Sequence, residues 1–527
     1  MSVAGHVVLV GLPGSGKSTV APLLAARLGR GCVDTDAEVE SRLRMPVSRV
    51  FEELGEPRFR AEERAAVERA LASPQPLVVA AGGGLIAQHG APELLRRHAT
   101  VVLLDAGDPI LLDRLGSQAG SRPLLAAAPE TSLHHLRSAR TAAHGHVQLC
   151  IHVDSLAPEA VADEIAAALD GGVRVGTKHP YLVRVGGGAA EHVGAHVPAP
   201  ARRVALITDD AVAGIADGIA SDLRRDGLTA TVIPLAGGED AKRWETVGAL
   251  LERCGDAGLE RDDCIVAVGG GSIGDVAGLV AATYLRGVAW IVVPTTLLAM
   301  VDSAIGGKTA VNLRRGKNLA GVFWQPRAVL CDPGVLGTLS DRAFRSAFAE
   351  IVKSAMVGAG DLAALVERHL AASLARDPAA LAELIRGCCE LKAEVVAGDE
   401  RESGRRAILN YGHTVGHAVE ALTGLGAGLD HGEAVAFGMR VAGALSIEES
   451  GCPRDDIARQ DELLDACGLS QRPALAAGAI ADHLGTDKKA RGGVPRWVLL
   501  RRRGDPVTGI VAEAGAINRA VTEVLVA

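Results

Sequence analysis

Two parts of the chain alternate short, continuously apolar runs with longer amphipathic ones. This is the pattern of strands buried on both faces of a parallel sheet and of the helices that cover them. The first part opens on His6-Val7-Val8-Leu9-Val10, a buried-strand pattern that empties into a glycine-rich turn, and a helix is expected over 19–28. It closes on an alanine-rich amphipathic stretch, 158–169, followed by Asp170-Gly171-Gly172-Val173. Paired glycines stop helices and loosen linkers, so a first domain is expected at 1–170 and a linker at 171–178. In the second part, 181–185, 204–209 and 263–268 read as strands of an α/β lobe over 179–335. After about Leu336 helical periodicity dominates, and strand patterns return only near 496–500, which predicts a mostly helical lobe over 336–527. The fold class is therefore α/β with an added helical lobe, and a cleft between the two lobes is the expected place for a site. One stretch, Val276–Val301, carries a single charge, Arg286, and is long enough to cross a bilayer. Gly278, Gly287 and Pro294 interrupt it, so a helix over 275–284, a turn at Arg286-Gly287 and a short strand over 289–293 fit better than a membrane span.

Composition narrows the function classes. With 527 residues, 48% of them hydrophobic, the chain can bury two or three domain cores. A formal charge of −8 supplies no basic field, which argues against nucleic acid and anionic membranes and for small anions held by local basic clusters. Nine cysteines without a C-x-x-C pair, and an N-terminus that runs straight into a strand, point to a reducing cytoplasm.

Three motifs carry chemistry. Gly11-Leu12-Pro13-Gly14-Ser15-Gly16-Lys17-Ser18, between the first strand and its helix, is a P-loop in the context that such a loop requires. Backbone amides of Gly14, Ser15, Gly16 and Thr19 would cradle phosphates, Lys17 would neutralise the β and γ groups of ATP, and the Ser18 hydroxyl can ligate magnesium. Gly269-Gly270-Gly271-Ser272-Ile273-Gly274-Asp275, after another strand, lets amides at a helix N-terminus approach a pyrophosphate. Finally, His413 and His417 lie four apart, and His431 opens the next apolar helix. Three converging histidines suffice for a catalytic divalent ion, and spacing alone nominates all three.

The glycine loop, together with Pro294-Thr295-Thr296-Leu297, Gly306-Gly307-Lys308-Thr309, Gly316-Lys317-Asn318-Leu319, Ala349-Glu350-Ile351-Val352-Lys353, the histidine stretch and Asp487-Lys488-Lys489, resembles the 3-dehydroquinate synthase family from about Tyr181 almost to the C-terminus. The resemblance implies an NAD- and metal-dependent conversion of 3-deoxy-D-arabino-heptulosonate 7-phosphate into 3-dehydroquinate and phosphate, in a homodimer. It makes Glu350, His413 and His431 the ligands of one zinc or cobalt ion and moves His417 to proton transfer and the phosphate. Lys308, Lys353, Lys392, Arg406, Asn410 and Lys489 would surround the substrate anions, with Asp302 and Asn318 also at the substrate and Arg286 reaching across the dimer. Asp209, Glu239, Lys242, Gly270, Gly271, Ser272, Asp275, Thr295, Thr296 and Lys317 would hold NAD. Ala211 stands where relatives often carry asparagine. Lysines are usually solvated, but Lys308 follows the apolar run Ala304-Ile305-Gly306-Gly307, which favours a buried role.

Around the P-loop, Val33-Asp34-Thr35-Asp36, Phe59-Arg60, Gly82-Gly83-Gly84 and Ser121-Arg122-Pro123-Leu124-Leu125 together resemble the shikimate kinase family. By that resemblance Asp34 helps Ser18 hold magnesium and Asp36 orients or deprotonates the attacking hydroxyl. Arg60 and Arg140 clamp the shikimate carboxylate, Gly82–Gly84 line its pocket, and Arg122 closes on the phosphates. Two departures are His144, where the family usually has tyrosine, and Leu115, where it has a second arginine after Arg114. The expectation is two independent catalysts on a flexible seam. The competing reading is a related sugar-phosphate cyclase or polyol dehydrogenase carrying a non-catalytic nucleotide-binding module.

Overall fold

The computed structural model describes residues 5–116, 128–144, 147–154, 156–169, 172–423, 428–486 and 496–526. Arg122 and Lys489 lie outside the described residues. Five parallel strands, β1 (His6–Val10), β2 (Gly31–Asp34), β3 (Leu77–Ala80), β4 (Ala99–Asp105) and β5 (Leu149–His152), form a sheet in the order β2-β3-β1-β4-β5. The P-loop leaves the central strand β1 and enters the helix Lys17–Leu28, two residues earlier than the sequence suggests. Gly16 caps that helix at φ 91°, a left-handed conformation open to glycine at no steric cost.

The second sheet contains β6 (Gly172–Val175), β7 (Tyr181–Val185), β8 (Arg203–Asp209), β9 (Thr229–Leu235), β10 (Cys264–Gly269), β11 (Ala289–Pro294) and, after a hairpin of β12 (Lys308–Leu313) and β13 (Gly316–Phe323), β14 (Ala328–Cys331). Its order is β6-β7-β14-β11-β10-β8-β9, with only β6 antiparallel to its neighbour. From β8 the chain builds outward to β9 and then returns to β10, so β8 and β10 flank the point where the winding reverses. Ligands of open parallel sheets bind beyond the carboxyl ends of such strands. Asp209 and the glycine loop stand there. The helix after β10 begins at Gly271, four residues before the expected start at Asp275. Tertiary packing overrides the poor helix propensity of glycine, since Ile273, Val276, Ala277 and Leu279 are all buried. The helical lobe follows, built on Phe348–Val357, Pro378–Gly398, His413–Thr423 and His431–Ser450, with a late hairpin of β15 (Trp497–Arg502) and β16 (Asp505–Ile510). The suspected membrane stretch is an interior helix, a turn and β11, and no helix of the described residues is long and apolar enough to cross a membrane.

The flexible seam does not hold. Residues 172–175, expected in a linker, form edge strand β6, because Val173 and Val175 alternate inward against the sheet. Leu182 of β7 joins the same apolar cluster as Leu24, Leu149 and Ile165 of the first domain. Half-buried Arg327 donates from Nε to the His196 carbonyl (3.0 Å) within its own domain and, across the junction, from Nη2 to the Val147 carbonyl (2.7 Å). The two units are docked through a desolvated contact, not merely tethered. Hydrogen bonds from a charged donor contribute about 1.5–3 kcal/mol each. Arg327→Ala is therefore expected to lower the melting temperature of the whole chain, and residues 172–527 expressed alone should be poorly soluble unless residues 1–171 are co-expressed. A soluble, fully stable C-terminal fragment would contradict this.

Candidate active sites

In the first domain, Thr35 bridges two elements of the site. Its hydroxyl donates to the Ala80 carbonyl (3.3 Å) and accepts from the Gly82 amide (3.1 Å), which fixes the turn after β3 against the helix that starts at Thr35. The three glycines then act as a floor. A Cβ on Gly82 would strike Glu63 Oε1 at 1.7 Å and approach Asp36 Oδ1 to 3.1 Å; on Gly83 it would meet Arg140 Nη1 at 2.9 Å, and on Gly84 the Arg60 guanidinium at 2.5–2.6 Å. Asp36, Arg60 and Arg140 thus meet over a surface that admits no side chain. Arg140 is 4% exposed, and its Nη1 has no hydrogen-bond partner among the described residues, which leaves a buried charged donor open to an anion. Burial, with Arg60 adding repulsion, lowers its pKa to about 10, which leaves it charged at neutral pH.

Sequence reasoning missed Glu63. It is fully buried, accepts from Arg60 Nη1 (3.0 Å) and Gln88 Nε2 (2.9 Å), and neutralises part of the two-arginine cluster. Its position three residues after Arg60, on one helix face, was the available signal. Lys17 lies across its own loop, donating to the Gly11 carbonyl (3.0 Å) and the Leu12 carbonyl (3.1 Å). Asp34 caps the next helix, its Oδ1 accepting from the Asp36 amide at 3.0 Å and the Ala37 amide at 3.3 Å. Ser18 is exposed at the start of its helix. Leu115 is buried in the core, and Arg114 is pinned to the Val153 carbonyl (2.5 Å), so the departure at 115 fills space rather than facing solvent.

In the second domain the dinucleotide elements assemble around the carboxyl ends of β8 and β10. Asp209 lies so close to Gly237 that any Cβ there would overlap its carboxylate. Its Oδ1 accepts from the Ala211 amide (2.9 Å). Glu239 accepts from Asn312 Nδ2 (2.7 Å) and Ser272 Oγ (3.3 Å), and Lys242 Nζ reaches Asp275 (2.5 Å) and Asn318. Thr295 is buried, and Thr296 Oγ1 accepts from the Ala299 amide (3.2 Å). A Cβ on Gly271 would strike Ser303 Oγ at 2.7 Å, and one on Gly270 would press on Thr296 Cγ2 at 3.0 Å. Lys317 points elsewhere, to Glu420 in the helical lobe (3.1 Å).

Three elements of the helical lobe bring Glu350, His413 and His431 together, with their ligand atoms within 4.8 Å of one another. Both histidines aim Nε2 at Glu350 Oε1, at 3.5 Å and 3.7 Å. Each Nδ1 is occupied from behind: His413 by the Tyr411 carbonyl (3.2 Å), His431 by Glu420 (3.5 Å). Glu350 Oε1 accepts no hydrogen bond among the described residues although it is buried, while Oε2 meets Lys353. One anionic oxygen and two imidazole nitrogens facing a common point, with nothing else to satisfy the oxygen, fit a divalent cation. Burial brings the His413 pKa down to about 3. For His431 burial opposes protonation, but hydrogen bonds to Glu350 and Glu420 win and raise it to about 10. His417 is not in this group. It is exposed, with its ring centroid 5.2 Å from that of His413 and 6.4 Å from that of His431.

Cations surround the cluster. Lys353, Lys392 and Arg406 are all buried; Lys392 donates to the Asp302 carbonyl (2.6 Å) and to its carboxylate, and Arg406 Nη1 donates to the carbonyls of Gly306 (3.2 Å) and Glu400 (2.8 Å). The expected burial of Lys308 is not observed. Its side chain is 47% exposed and meets Glu402 (2.5 Å), because the apolar run ends where β12 begins and turns it outward. Glu402 also accepts from Asn410 (3.1 Å), so a residue unread in the sequence holds two groups that were expected at the substrate anions. Arg286 is exposed on a left-handed turn with Leu285, at φ 68° and 48°.

Comparison with known proteins finds three family matches along the chain. Residues 13–170 match the shikimate kinase family, 232–346 the N-terminal part of 3-dehydroquinate synthase, and 347–490 its C-terminal part. A 3-dehydroquinate synthase from Pelobacter propionicus is 45% identical over 336 residues, 63% of this chain and 93% of that one. Among solved structures, 2-deoxy-scyllo-inosose synthase in complex with carbaglucose-6-phosphate, NAD+ and Co2+ is 31% identical with a TM-score of 0.60, covering 65% of this chain and 97% of the other. ValA, the 2-epi-5-epi-valiolone synthase of Streptomyces hygroscopicus with NAD+ and Zn2+ bound, is 28% identical with a TM-score of 0.57, covering 61% and 90%. The chain belongs to the 3-dehydroquinate synthase family and carries a shikimate kinase domain ahead of the synthase, which makes it a bifunctional enzyme of the shikimate pathway.

Proposed function

We propose that the two sites work as separate catalysts, with the roles and cofactors expected from the sequence. The single observation that carries the synthase reading is the convergence of Glu350 Oε1 with two histidine Nε2 atoms beside three buried cations. An ion held by Glu350, His413 and His431, zinc or cobalt as in the two solved relatives, would supply Lewis acidity at the hydroxyl being oxidised. NAD held by Asp209, Glu239, Lys242 and the glycine loop would take up hydride and return it, so turnover leaves no net reduced nicotinamide. Lys353, Lys392, Arg406 and Asn410 hold the carboxylate and phosphate of 3-deoxy-D-arabino-heptulosonate 7-phosphate and stabilise the departing phosphate. Lys308 joins them when the substrate anion displaces Glu402. Asp302, held by Lys392, orients the ring hydroxyls, and His417, at the exposed mouth, moves protons. The cyclase and dehydrogenase alternatives are weaker: the synthase relative is 45% identical against 28–31% for the cyclases, and a simple dehydrogenase has no use for the cation cluster.

In the kinase domain Arg60 and Arg140 bind the shikimate carboxylate, Asp36 takes the proton of the attacking hydroxyl, and Lys17 with the loop amides steadies the transferring phosphoryl. Ser18 and Asp34 would hold magnesium with ATP. The departures at 115 and 144 leave Asp36, Arg60 and Arg140 in place, which supports catalysis over a purely regulatory module.

The same reading gives a cytoplasmic homodimer joined through the synthase half. Nine free cysteines are in keeping with a reducing compartment. Leu319, Val322 and Phe323 of β13 and Leu285 beside Arg286 are exposed apolar side chains, which a partner subunit would cover.

His417→Ala tests the role split within the histidine group. The variant should keep its metal and bind NAD normally while kcat falls by about 10²–10⁴-fold, the usual contribution of a positioned acid or base. Loss of metal in that variant would make His417 a ligand and overturn the assignment.

A further inference from the structure

Glu420 belongs to neither the ligand set nor the anion cluster, yet its two oxygens divide between the two lobes. Oε2 meets Nδ1 of His431 at 3.5 Å, and Oε1 accepts from Lys317 of β13 at 3.1 Å. Its side chain is 12% exposed. It lies on the same helix as His413, seven residues further on, and so on the same face. Lys317 neighbours Asn318, which accepts from Lys242 in the dinucleotide ring. A continuous polar chain therefore runs from Asp275 through Lys242 and the β12–β13 hairpin to Glu420 and His431.

Imidazole can carry its proton on either nitrogen, and only the nitrogen without it can bind a metal. For His413 a backbone carbonyl makes that choice. For His431 no carbonyl of the described residues stands behind Nδ1, and Glu420 is the acceptor. From this geometry we infer that Glu420 is a positioning residue for the synthase reaction: it holds the proton of His431 on Nδ1, turns Nε2 toward Glu350, and is itself held by Lys317 of the hairpin. The inference rests on the ligand set proposed above. Outer partners of this kind change metal affinity by about 10–100-fold when removed. The same geometry makes the hairpin part of the metal site, so Lys317 also acts on the ion through Glu420.

The test uses the full chain loaded with Co2+ and competed with a chelator, with the visible cobalt spectrum as a second readout. Glu420→Ala should weaken Co2+ binding about 10–100-fold and shift the spectrum as the imidazole reorients. Glu420→Gln, which keeps an acceptor oxygen, should recover part of the loss, and Lys317→Met should fall between Gln and the parent. His431→Ala is the control. If His431→Ala loses the ion while Glu420→Ala binds Co2+ with parental affinity and an unshifted spectrum, Glu420 is only an interlobe ion pair and the inference fails. If His431→Ala also binds as the parent does, the ligand set beneath the inference is wrong.

Discussion

Replacing His431 with alanine is expected to abolish synthase turnover and leave shikimate phosphorylation unchanged. Outer partners of metal ligands typically cost about 10–100-fold in affinity or activity, so deleting a ligand should exceed the upper end of that range. The geometry concentrates the damage. Among the described residues Glu350 Oε1 has only the two imidazoles opposite it, and with one removed the remaining pair leaves a buried anionic oxygen and no closed donor set. Metal content by mass spectrometry should fall with activity. The kinase site is built on the other sheet and shares no residue with this one. A His431→Ala enzyme that keeps a full complement of metal and its turnover would refute the assignment.

The second large effect is at Lys17. Lys17→Ala should reduce ATP-dependent phosphorylation by at least about 10³-fold, since removal of one preorganised group at a transition state costs 10²–10³-fold and a positioned cation on a transferring phosphoryl is worth still more. Carbocycle formation should continue at the parental rate. In the structure Lys17 also closes the P-loop through the Gly11 and Leu12 carbonyls, so a circular dichroism spectrum and intact synthase activity are needed to show that the variant is folded. Synthase loss in a folded Lys17→Ala enzyme would mean that the docked domains act on each other, and the Arg327 contact would be the first place to look.

Features with their own local pattern were legible in the sequence. The P-loop, the second glycine loop and the buried strands before them depend on neighbours in the chain, and each formed where expected to within a few residues. The β12–β13 hairpin was not read, because Lys308, Gly316, Lys317 and Asn318 interrupt the apolar alternation that marks a strand. β6 was read as linker because a glycine pair outweighed two inward valines, which only the presence of β7 makes meaningful. Most telling are the carboxylates. Glu63 had a local signal in Arg60 three residues before it, but Glu402 and Glu420 meet Lys308 and Lys317 of the distant β12–β13 hairpin, and a glutamate on a helix or loop carries no sign of such a partner. Resemblance moved His417 off the metal where spacing put it on. The structure gathers Glu350 with His413 and His431 from a helix some sixty residues upstream, a grouping that no i,i+4 rule contains.

One chain is expected to hold two complete and different catalysts. The most direct test is phosphorus NMR of a single purified sample, first given 3-deoxy-D-arabino-heptulosonate 7-phosphate with NAD and Co2+, then shikimate with ATP and magnesium, while nicotinamide absorbance is followed throughout. The account predicts release of inorganic phosphate with no lasting accumulation of NADH in the first stage, then transfer of a phosphoryl group from ATP to shikimate in the second. Accumulating NADH without phosphate release, or ATP that stays intact in the presence of shikimate, would contradict it.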